Sequence, residues 1–464
     1  MCFFDEARPA INAIEMSESG DFLVAKYNGA ADMWYTKPPL SIWCQVLFIK
    51  LLGPTELAAR LPSAFAALGL VLLLLWFAKK NGAIWWGYFS AMILLTTSGF
   101  IGEHVARTAD PDTLLCLFTT AYMLLFYQYT ESKETKYLFY CGIAIAWAGL
   151  TKGVAGFLLL PGILLYAIYY RHLGGMLKKP STYGAVAVAV LPVLLFYYLR
   201  EQYNPGYIEA VFENELGGRF SEVIEGHQHP FNYYFKFIWK SHFTFWLAYI
   251  PLAIWLAIKS EPAQRRLQFL IFSTVIIYLL LVSSAQTKVF WYTAPVFPLL
   301  ALSIGYALWE LCKKLTDVFI DLYPQRSTRF VFPALFVLAL FFFPYKSIVE
   351  KIYHPKVIYA ENTYGPYLKK KHPLAKQIII PSVGKYNPSV GKYNGHIDYY
   401  CKALKSKGFN ISQKYSHELH VNDTLLICEQ PNYDDVSRIF ILDVLERQNS
   451  CTLFLVVDKR EEFK

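Results

Sequence analysis

Charged residues are scarce in this chain of 464 residues: Asp, Glu, Lys and Arg make up 17% of it, whereas hydrophobic residues make up 55%. So few charges exclude a typical soluble globular protein, in which about 25% of residues are charged. The formal net charge is +9, but the Lys and Arg residues fall in short loops between apolar runs. That distribution is typical of membrane topology and argues against a nucleic-acid-binding surface.

Paired cysteine motifs are absent, because the eight cysteines include no CxxC pair and no metal-ligand spacing. Most of them are expected to be buried as small hydrophobic side chains. The last three, Cys401, Cys428 and Cys451, would allow a disulfide if the C-terminal tail lies outside the cytoplasm.

Residues 1–20 do not have the pattern of a cleavable signal peptide, since they contain several acidic residues and no continuous apolar core. The first polar segment nevertheless needs a preceding span to carry it across a membrane. We therefore expect an apolar helix upstream of Asp5, ending near Cys2-Phe3-Phe4.

Apolar runs recur along most of the chain, with lengths near those that helices need to cross a hydrocarbon core of about 30 Å. Basic residues cluster in the loop after every second run, which predicts by the positive-inside rule that these loops are cytoplasmic. They include Lys79, Lys136, Arg171, Arg265 and Lys313. The ten runs lie near residues 61–78, 83–101, 113–128, 137–151, 154–170, 184–199, 233–258, 268–284, 289–311 and 329–344.

The runs predict a mainly α-helical, polytopic transmembrane bundle over residues 1–344, in which residues 5–60 form the first extracytoplasmic loop. Within this loop, residues 5–18 are expected to be helical with Glu15 and Glu18 exposed. Residues 40–52 are expected to lie at the membrane interface, being too short for a full span.

Residues 345–464 are more polar and are predicted to form a small soluble extracytoplasmic α/β domain. A short duplication in this tail repeats Pro381–Asn387 as Pro388–Asn394, and it predicts a loop because it is too short for a solenoid. The pattern of the tail predicts strands at 377–380, 424–428 and 452–457 and helices at 397–407 and 434–447.

Unusual polar residues gather on the predicted extracytoplasmic side. Carboxylates beside several cations at a lipid boundary suit a reaction on an anionic, lipid-linked substrate, because ionisable groups there are costly to keep. The cations would hold phosphate, and a carboxylate would take or hold a proton. The clusters lie at residues 5–8, 36–40, 103–112, 151–153, 219–220, 227–230 and 286–288.

Each cluster also has an ordinary structural interpretation. Asp5 and Glu6 would stabilise a helix N-terminus, and Lys37 would serve as an interfacial anchor. Asp112 would cap the next helix. His227 and His229 would be ordinary polar residues of a loop, since this H-x-H pair has no third metal ligand in the sequence. The gathering of all these clusters on one side favours a shared functional site.

The order of these motifs resembles that of the polyprenyl-phosphate-sugar-dependent GT-C glycosyltransferases, the group of the aminoarabinose transferases and protein O-mannosyltransferases. The resemblance covers most of the membrane part, from Asp5 to about Pro298. The motifs that carry it are Asp5-Glu6-Ala7-Arg8, Lys37-Pro38-Pro39-Leu40, residues 56–63, Ala106-Arg107-Thr108 with Asp112, Leu150-Thr151-Lys152-Gly153, Arg219-Phe220, His227 with Pro230 and Tyr233-Tyr234, and Lys288 with Tyr292, Pro295 and Pro298.

The resemblance implies a GT-C membrane fold and an inverting transfer of a sugar from a polyprenyl phosphate, of undecaprenyl type, to a lipid, glycan or protein acceptor. It implies the inner membrane of a bacterium, with the active site and the C-terminal domain on the periplasmic or extracellular side. By match, Asp5 is the catalytic carboxylate and Lys37 contacts the donor phosphate. The other substrate-binding residues implied are Glu6, Arg8, Arg107, Asp112, Lys152, His227, Lys288 and Tyr292.

Metal dependence is left open by one departure from the family pattern. The aminoarabinose transferases carry an acidic residue just before the Lys of the Lys-Pro-Pro motif, whereas this chain has Thr36. His227 then lacks its expected carboxylate partner and would donate a hydrogen bond instead. No cofactor is therefore assigned, and a divalent metal stays an alternative.

Two other classes of function compete with an enzyme. A transporter or flippase of a lipid-linked saccharide would also need cations along a cavity, but transporters commonly contain paired repeats and mid-span charges. No such repeat occurs here, and the charges fall in predicted loops. A scaffold subunit would not need acidic and basic clusters on one side.

Overall fold

The computed structural model describes residues 4–223, 226–323, 328–353, 364–370, 377–381, 395–405, 408–448 and 450–463. Most of these residues are helical, as predicted. The helices are α1 (Phe4–Ser19), α2 (Leu40–Leu52), α3 (Glu56–Lys80), α4 (Ile84–Leu95), α5 (Ser98–Ile101), α6 (Asp112–Ser132), α7 (Thr135–Lys152), α8 (Leu160–Tyr169), α9 (His172–Leu177), α10 (Pro180–Tyr203), α11 (Tyr207–Val211), α12 (Gly218–Ser221), α13 (Tyr233–Phe237), α14 (Thr244–Leu247), α15 (Ile250–Lys259), α16 (Pro262–Ser284), α17 (Val296–Leu322), α18 (Thr328–Tyr353), α19 (Tyr364–Lys370), α20 (Gly395–Lys405) and α21 (Gln430–Ile439).

Within the described ranges, six helices are long and apolar enough to cross a membrane, or seven if a bent pair counts as one span. The bent pair consists of Tyr233–His242 and Thr244–Lys259, between which the helical path bends by 103°. The ten predicted runs are helical, but three of them are not among these candidate spans. The runs near 83–101 and 154–170 contain only the short apolar helices α4 and α8, and the run near 113–128 lies in α6, which is long but does not meet the same criteria. Apolar composition therefore predicted the helices correctly and overestimated three of them as spans.

The bundle core is formed where α6 packs between α3 and α7 and where α4 packs on α17. The contact between α4 and α17 is close because Gly305 has no side chain: a Cβ there would lie 2.2 Å from Ser90 Oγ. Helix α3 begins at Glu56 because the Thr55 hydroxyl accepts a hydrogen bond from the Ala58 amide at 3.2 Å.

The C-terminal part contains a five-stranded mixed sheet of order β4-β3-β5-β7-β6. Strand β3 is parallel to β4 and β5, whereas β7 is antiparallel to β5 and β6. A disulfide joins Cys428 to Cys451, as the cysteine positions allowed. The strands are β3 (Gln377–Pro381), β4 (Asn410–Lys414), β5 (Thr424–Ile427), β6 (Phe440–Gln448) and β7 (Cys451–Lys459), preceded in the chain by the short hairpin β1 (Lys26–Tyr27) and β2 (Ala30–Ala31).

The predicted helix at 434–447 is wrong over its second half. Helix α21 ends at Ile439 and β6 follows directly, because Phe440–Gln448 pairs with β7 along its length. Long-range strand pairing has overridden the local helical pattern there. The predicted strands at 377–380, 424–428 and 452–457 match β3, β5 and β7. The duplicated segment lies outside the described residues beyond Pro381.

Helix α1 packs against the C-terminal part of the chain, and the two share one hydrophobic core. Ala10 and Ile14 of α1 lie in this core together with Tyr399 of α20. Glu15, expected to be exposed, is only 4% exposed because it forms an ion pair of 2.9 Å with Lys402 and accepts the Asn28 and Gly29 amides. The tail therefore covers the helix that carries Asp5.

Candidate active site at one end of the bundle

Helix α1 is fixed by a buried carboxylate next to Asp5. Glu6 is fully buried, and Arg60 of α3 donates to both of its oxygens, at 3.0 and 2.6 Å. The Ala109 amide also donates to Glu6, at 3.2 Å. This bidentate ion pair ties α1 to α3 and to the loop before α6, so that Asp5 is held at the edge of that loop.

His104 lies between two carboxylates. Its Nδ1 is 3.6 Å from Asp5 Oδ2 and 3.7 Å from Asp110 Oδ2. The His104 side chain is 10% exposed and stacks on Trp291 at a centroid distance of 4.0 Å, whereas the Asp5 side chain is 56% exposed. His104 also has a φ of +61°, which an L-residue seldom adopts and which is tolerated at functional sites. The arrangement leaves Asp5 open to a substrate while its partner is fixed.

The neighbouring carboxylates shift the pKa of His104. Burial alone would lower the pKa of His104, but its interactions with Asp110, and the charges of Asp5 and Asp112, outweigh burial and raise the pKa above its ordinary value. Burial alone would raise the pKa of Asp110, yet its interaction with His104 lowers it. His104 therefore keeps its proton at a higher pH than a free histidine.

A pH dependence of stability follows from this pair. The raised pKa of His104 contributes stability that is fully present below its unfolded pKa and is lost as the pH rises through the folded value. The advantage of the wild type over His104→Gln in thermal unfolding is thus expected to shrink between pH 6 and pH 9. Detergent-solubilised protein followed by intrinsic fluorescence would measure it. An advantage that stays constant or grows over this range would contradict the ion-pair assignment.

Asp112 and Lys152 form a second, more deeply buried pair. Lys152 Nζ donates to both oxygens of Asp112, at 2.7 and 2.8 Å, and the two side chains are 3% and 6% exposed. Asp112 begins α6 and Lys152 ends α7, so the pair joins two neighbouring helices at the same end. The ammonium also lies 5.2 Å from the Tyr292 ring centroid. Lys152 is thus committed to an internal partner.

Lys37 is held more loosely. Its ammonium is 3.8 Å from Glu215 Oε1, its side chain is 22% exposed, and it lies 5.0 Å from the Tyr35 ring centroid. Thr36, the residue that departs from the family pattern, donates to Glu215 at 3.4 Å. A long, partly exposed ion pair leaves the Lys37 ammonium able to exchange its partner for a phosphate oxygen.

Arg8 stabilises the segment between α1 and α2 rather than the exposed part of the site. It donates to both oxygens of Asp32 at 2.8 and 2.7 Å, and Asp32 also accepts from Asn12 and from the Trp34 and Tyr35 amides. Burial alone would raise the pKa of Asp32, but Arg8 lowers it. This network shapes the segment that leads to Lys37, which makes Arg8 a supporting residue.

Lys288 and His227 meet through their backbones, since the Lys288 amide donates to the His227 carbonyl at 2.9 Å. Lys288 is 4% exposed, its ammonium donates to the Ala285 carbonyl, and burial lowers its pKa. The segment continues to Trp291, which stacks on His104. Arg107 lies exposed in the loop between α5 and α6.

The structure thus brings Asp5, Asp112, Lys152 and Tyr292 to one end of the bundle, beside Lys37. Glu6 and Arg8 lie behind them in internal ion pairs. Sequence reasoning included His104 and Asp110 in a polar cluster but gave neither a role in the site, and it missed Glu215. The sequence feature that could have indicated a role for His104 is its position between Glu103 and the Ala106-Arg107-Thr108 motif.

Among the residues that the structure describes, no group of three or more His, Cys, Asp or Glu side chains is arranged to hold a metal ion. His229 instead stacks on Tyr233 at a centroid distance of 4.1 Å. The H-x-H pair therefore has no convergent ligand set in the described part of the chain.

The architecture has known counterparts. A family model described as dolichyl-phosphate-mannose-protein mannosyltransferase matches residues 36–198. The crystal structure of ArnT from Cupriavidus metallidurans bound to undecaprenyl phosphate covers 97% of this chain and 93% of its own, with a TM-score of 0.69 and 16% identity. The chain has the GT-C glycosyltransferase fold.

Sequence comparison relates this GT-C chain to curated arabinosyl transferases. It is 29% identical over 324 residues, 67% of the chain, to the undecaprenyl phosphate-alpha-4-amino-4-deoxy-L-arabinose arabinosyl transferase of Aeromonas salmonicida. An enzyme of that name from Sodalis glossinidius is 28% identical over 349 residues, 72% of the chain. The matches span 56% and 60% of those proteins' own lengths. The predicted resemblance to GT-C glycosyltransferases is confirmed, and the protein is an integral membrane protein.

Proposed function

We propose that the protein transfers a sugar from a polyprenyl phosphate, of undecaprenyl type, to a lipid, glycan or protein acceptor at the membrane surface. The observation that carries this proposal is the cluster at one end of the bundle, where the exposed Asp5 lies 3.6 Å from His104 and the loosely held Lys37 lies nearby. The names of the arabinosyl transferase relatives support the same donor class.

The chemistry needs one bond exchange. The acceptor oxygen would form a bond to the anomeric carbon while the bond from that carbon to the phosphate oxygen breaks, which inverts the anomeric configuration. The leaving group is a polyprenyl phosphate monoester, so it requires neutralising charge more than a proton. Lys37 and Lys288 would supply that charge, with Arg107, His227 and Tyr292 contributing further contacts.

Asp5 would take the proton of an acceptor hydroxyl, or would orient an acceptor that is already anionic. His104, held by Asp110 and Trp291, would keep the Asp5 carboxylate in position and offset its charge. The ion pairs of Glu6, Arg8, Asp112 and Lys152 would keep the surrounding elements rigid, because such a site loses activity when its geometry loosens.

The proposed location is a bacterial inner membrane, with the cluster on the periplasmic or extracellular side. The basic loops between spans support this orientation, since they are expected on the cytoplasmic side. Residues 1–344 would form the transferase domain and 345–464 an extracytoplasmic domain that covers α1. The core shared by α1 and α20 supports placing both on one side.

A transfer assay tests the proposal. Purified protein in proteoliposomes would receive an undecaprenyl phosphate sugar, labelled in the sugar, together with extracted membrane lipid and glycan acceptors. The proposal predicts labelled acceptor and free undecaprenyl phosphate in equal amounts. Movement of intact labelled donor between leaflets without its consumption would instead indicate a flippase.

Lys37→Met is expected to weaken donor binding. Loss of a charge-assisted contact to phosphate costs about 1.5–3 kcal/mol, or about 10–100-fold in KM for the lipid donor. Lys50→Met on α2 is the matched control, since it removes the same charge from a nearby helix end. An unchanged KM in Lys37→Met would remove Lys37 from the phosphate site.

A further inference from the structure

A mainly apolar groove of about 480 Å³ opens between α8, α15 and α16. Its walls are apolar except for Arg265, Gln268 and Ser273, all of which belong to α16. The other lining residues include Leu165, Ile254, Ile258, Phe269, Phe272 and Ile276.

The groove lies far from the candidate active site. Helix α16 has 23 residues and is therefore about 35 Å long, which exceeds a hydrocarbon core of about 30 Å. Arg265 lies in its first turn, whereas Lys288 and the segment that reaches His104 follow its last residue. A phosphate bound at Arg265 would thus lie at the opposite membrane surface from one bound near Lys37.

The polar groups of the groove are ordered along α16. Arg265 is exposed at the mouth, and its hydrogen bond to the Ser260 carbonyl, at 3.2 Å, uses one of five N–H donors. Gln268, one turn deeper, is 1% exposed. Its Oε1 accepts from Ser303 at 2.6 Å, while its Nε2 has no hydrogen-bond partner among the described residues. Phe272 and Ile276 continue the row with apolar surface.

A cation at the mouth followed by an apolar wall matches the phosphate and the acyl chain of a phospholipid. We infer that the groove binds one glycerophospholipid with an anionic headgroup, whose phosphate contacts Arg265 and whose acyl chain packs along Phe272 and Ile276. Lys259, at the end of α15, adds a second cation near the mouth and favours net negative headgroups. The site is independent of the proposed transfer reaction.

Native mass spectrometry of the full-length protein, titrated with phosphatidylglycerol or phosphatidylcholine, tests this inference. The wild type should retain one phosphatidylglycerol more tightly than phosphatidylcholine. Arg265→Gln should raise the apparent Kd for phosphatidylglycerol about fivefold, and Ile276→Trp, at a position 56% exposed, should block the groove without disturbing the core. Arg329→Gln, an exposed charge at the start of α18, is the matched control and should bind as the wild type does.

Equal binding of the two lipids by the wild type would overturn the inference. So would unchanged binding by Arg265→Gln or an equal loss in Arg329→Gln. Thermal unfolding of each variant would establish that it is folded. Undecaprenyl phosphate would be tested last as a competitor. If it displaces phosphatidylglycerol in an Arg265-dependent way, the groove binds the donor lipid and the assignment to a glycerophospholipid is wrong.

Discussion

Asp5→Asn is expected to lower the turnover of sugar transfer by about 10²–10⁴-fold, with a smaller effect on KM for the lipid donor. The amide cannot take a proton from the acceptor and carries no charge to orient it. The Asp5 side chain is 56% exposed, so the substitution should leave the fold intact. Initial rates with saturating undecaprenyl phosphate sugar would measure the loss.

Glu18→Gln is the matched control for this variant, because it makes an equivalent acid-to-amide change at an exposed position of α1. Its transfer rate should equal that of the wild type. If Asp5→Asn retained full turnover while folded, Asp5 would not be the catalytic carboxylate. A rate that fell equally in both variants would point to the charge of α1 as a whole.

Lys152→Met is expected to destabilise the protein by about 3–5 kcal/mol, because it leaves the carboxylate of Asp112 buried without its cation. Both partners are almost fully enclosed, at 6% and 3% exposure, so solvent offers little compensation. Thermal unfolding in detergent, at a pH near neutral, would measure the effect.

Lys136→Met is the control on the same helix, since Lys136 is 54% exposed and pairs at the surface with Glu134. It should shift the unfolding midpoint little. The double variant Asp112→Leu with Lys152→Met should recover much of the lost stability, because it removes both charges. Equal destabilisation by the single and double variants would show that packing, and not the unpaired charge, explains the loss.

The sequence was sufficient for the helical bundle, the C-terminal strands and the end of the molecule at which the polar residues gather. Apolar run length and the positions of Lys and Arg are local features, and they predicted the candidate spans except at α4, α6 and α8. The bend near Phe243 was missed because residues 233–258 were interpreted as one apolar run, although Lys236, Lys240 and His242 lie within it.

The partners of the polar residues could not be predicted, because they are distant in the sequence. Asp112 was expected to bind substrate, yet it pairs with Lys152, 40 residues away. Glu15 was expected to be exposed, yet α20 and Lys402 cover it. The motifs therefore located the candidate site, whereas only the fold separates the loosely held Lys37 from the committed Lys152.

Photo-crosslinking would test the location of the donor phosphate most directly. A photoreactive undecaprenyl phosphate analogue, with the reactive group next to its phosphate, would be irradiated with the reconstituted protein and its adducts mapped by mass spectrometry. We predict adducts within residues 35–40 or 285–293 that excess undecaprenyl phosphate removes. Competable adducts confined to residues 254–277, at the opposite end of α16, would contradict the proposed site.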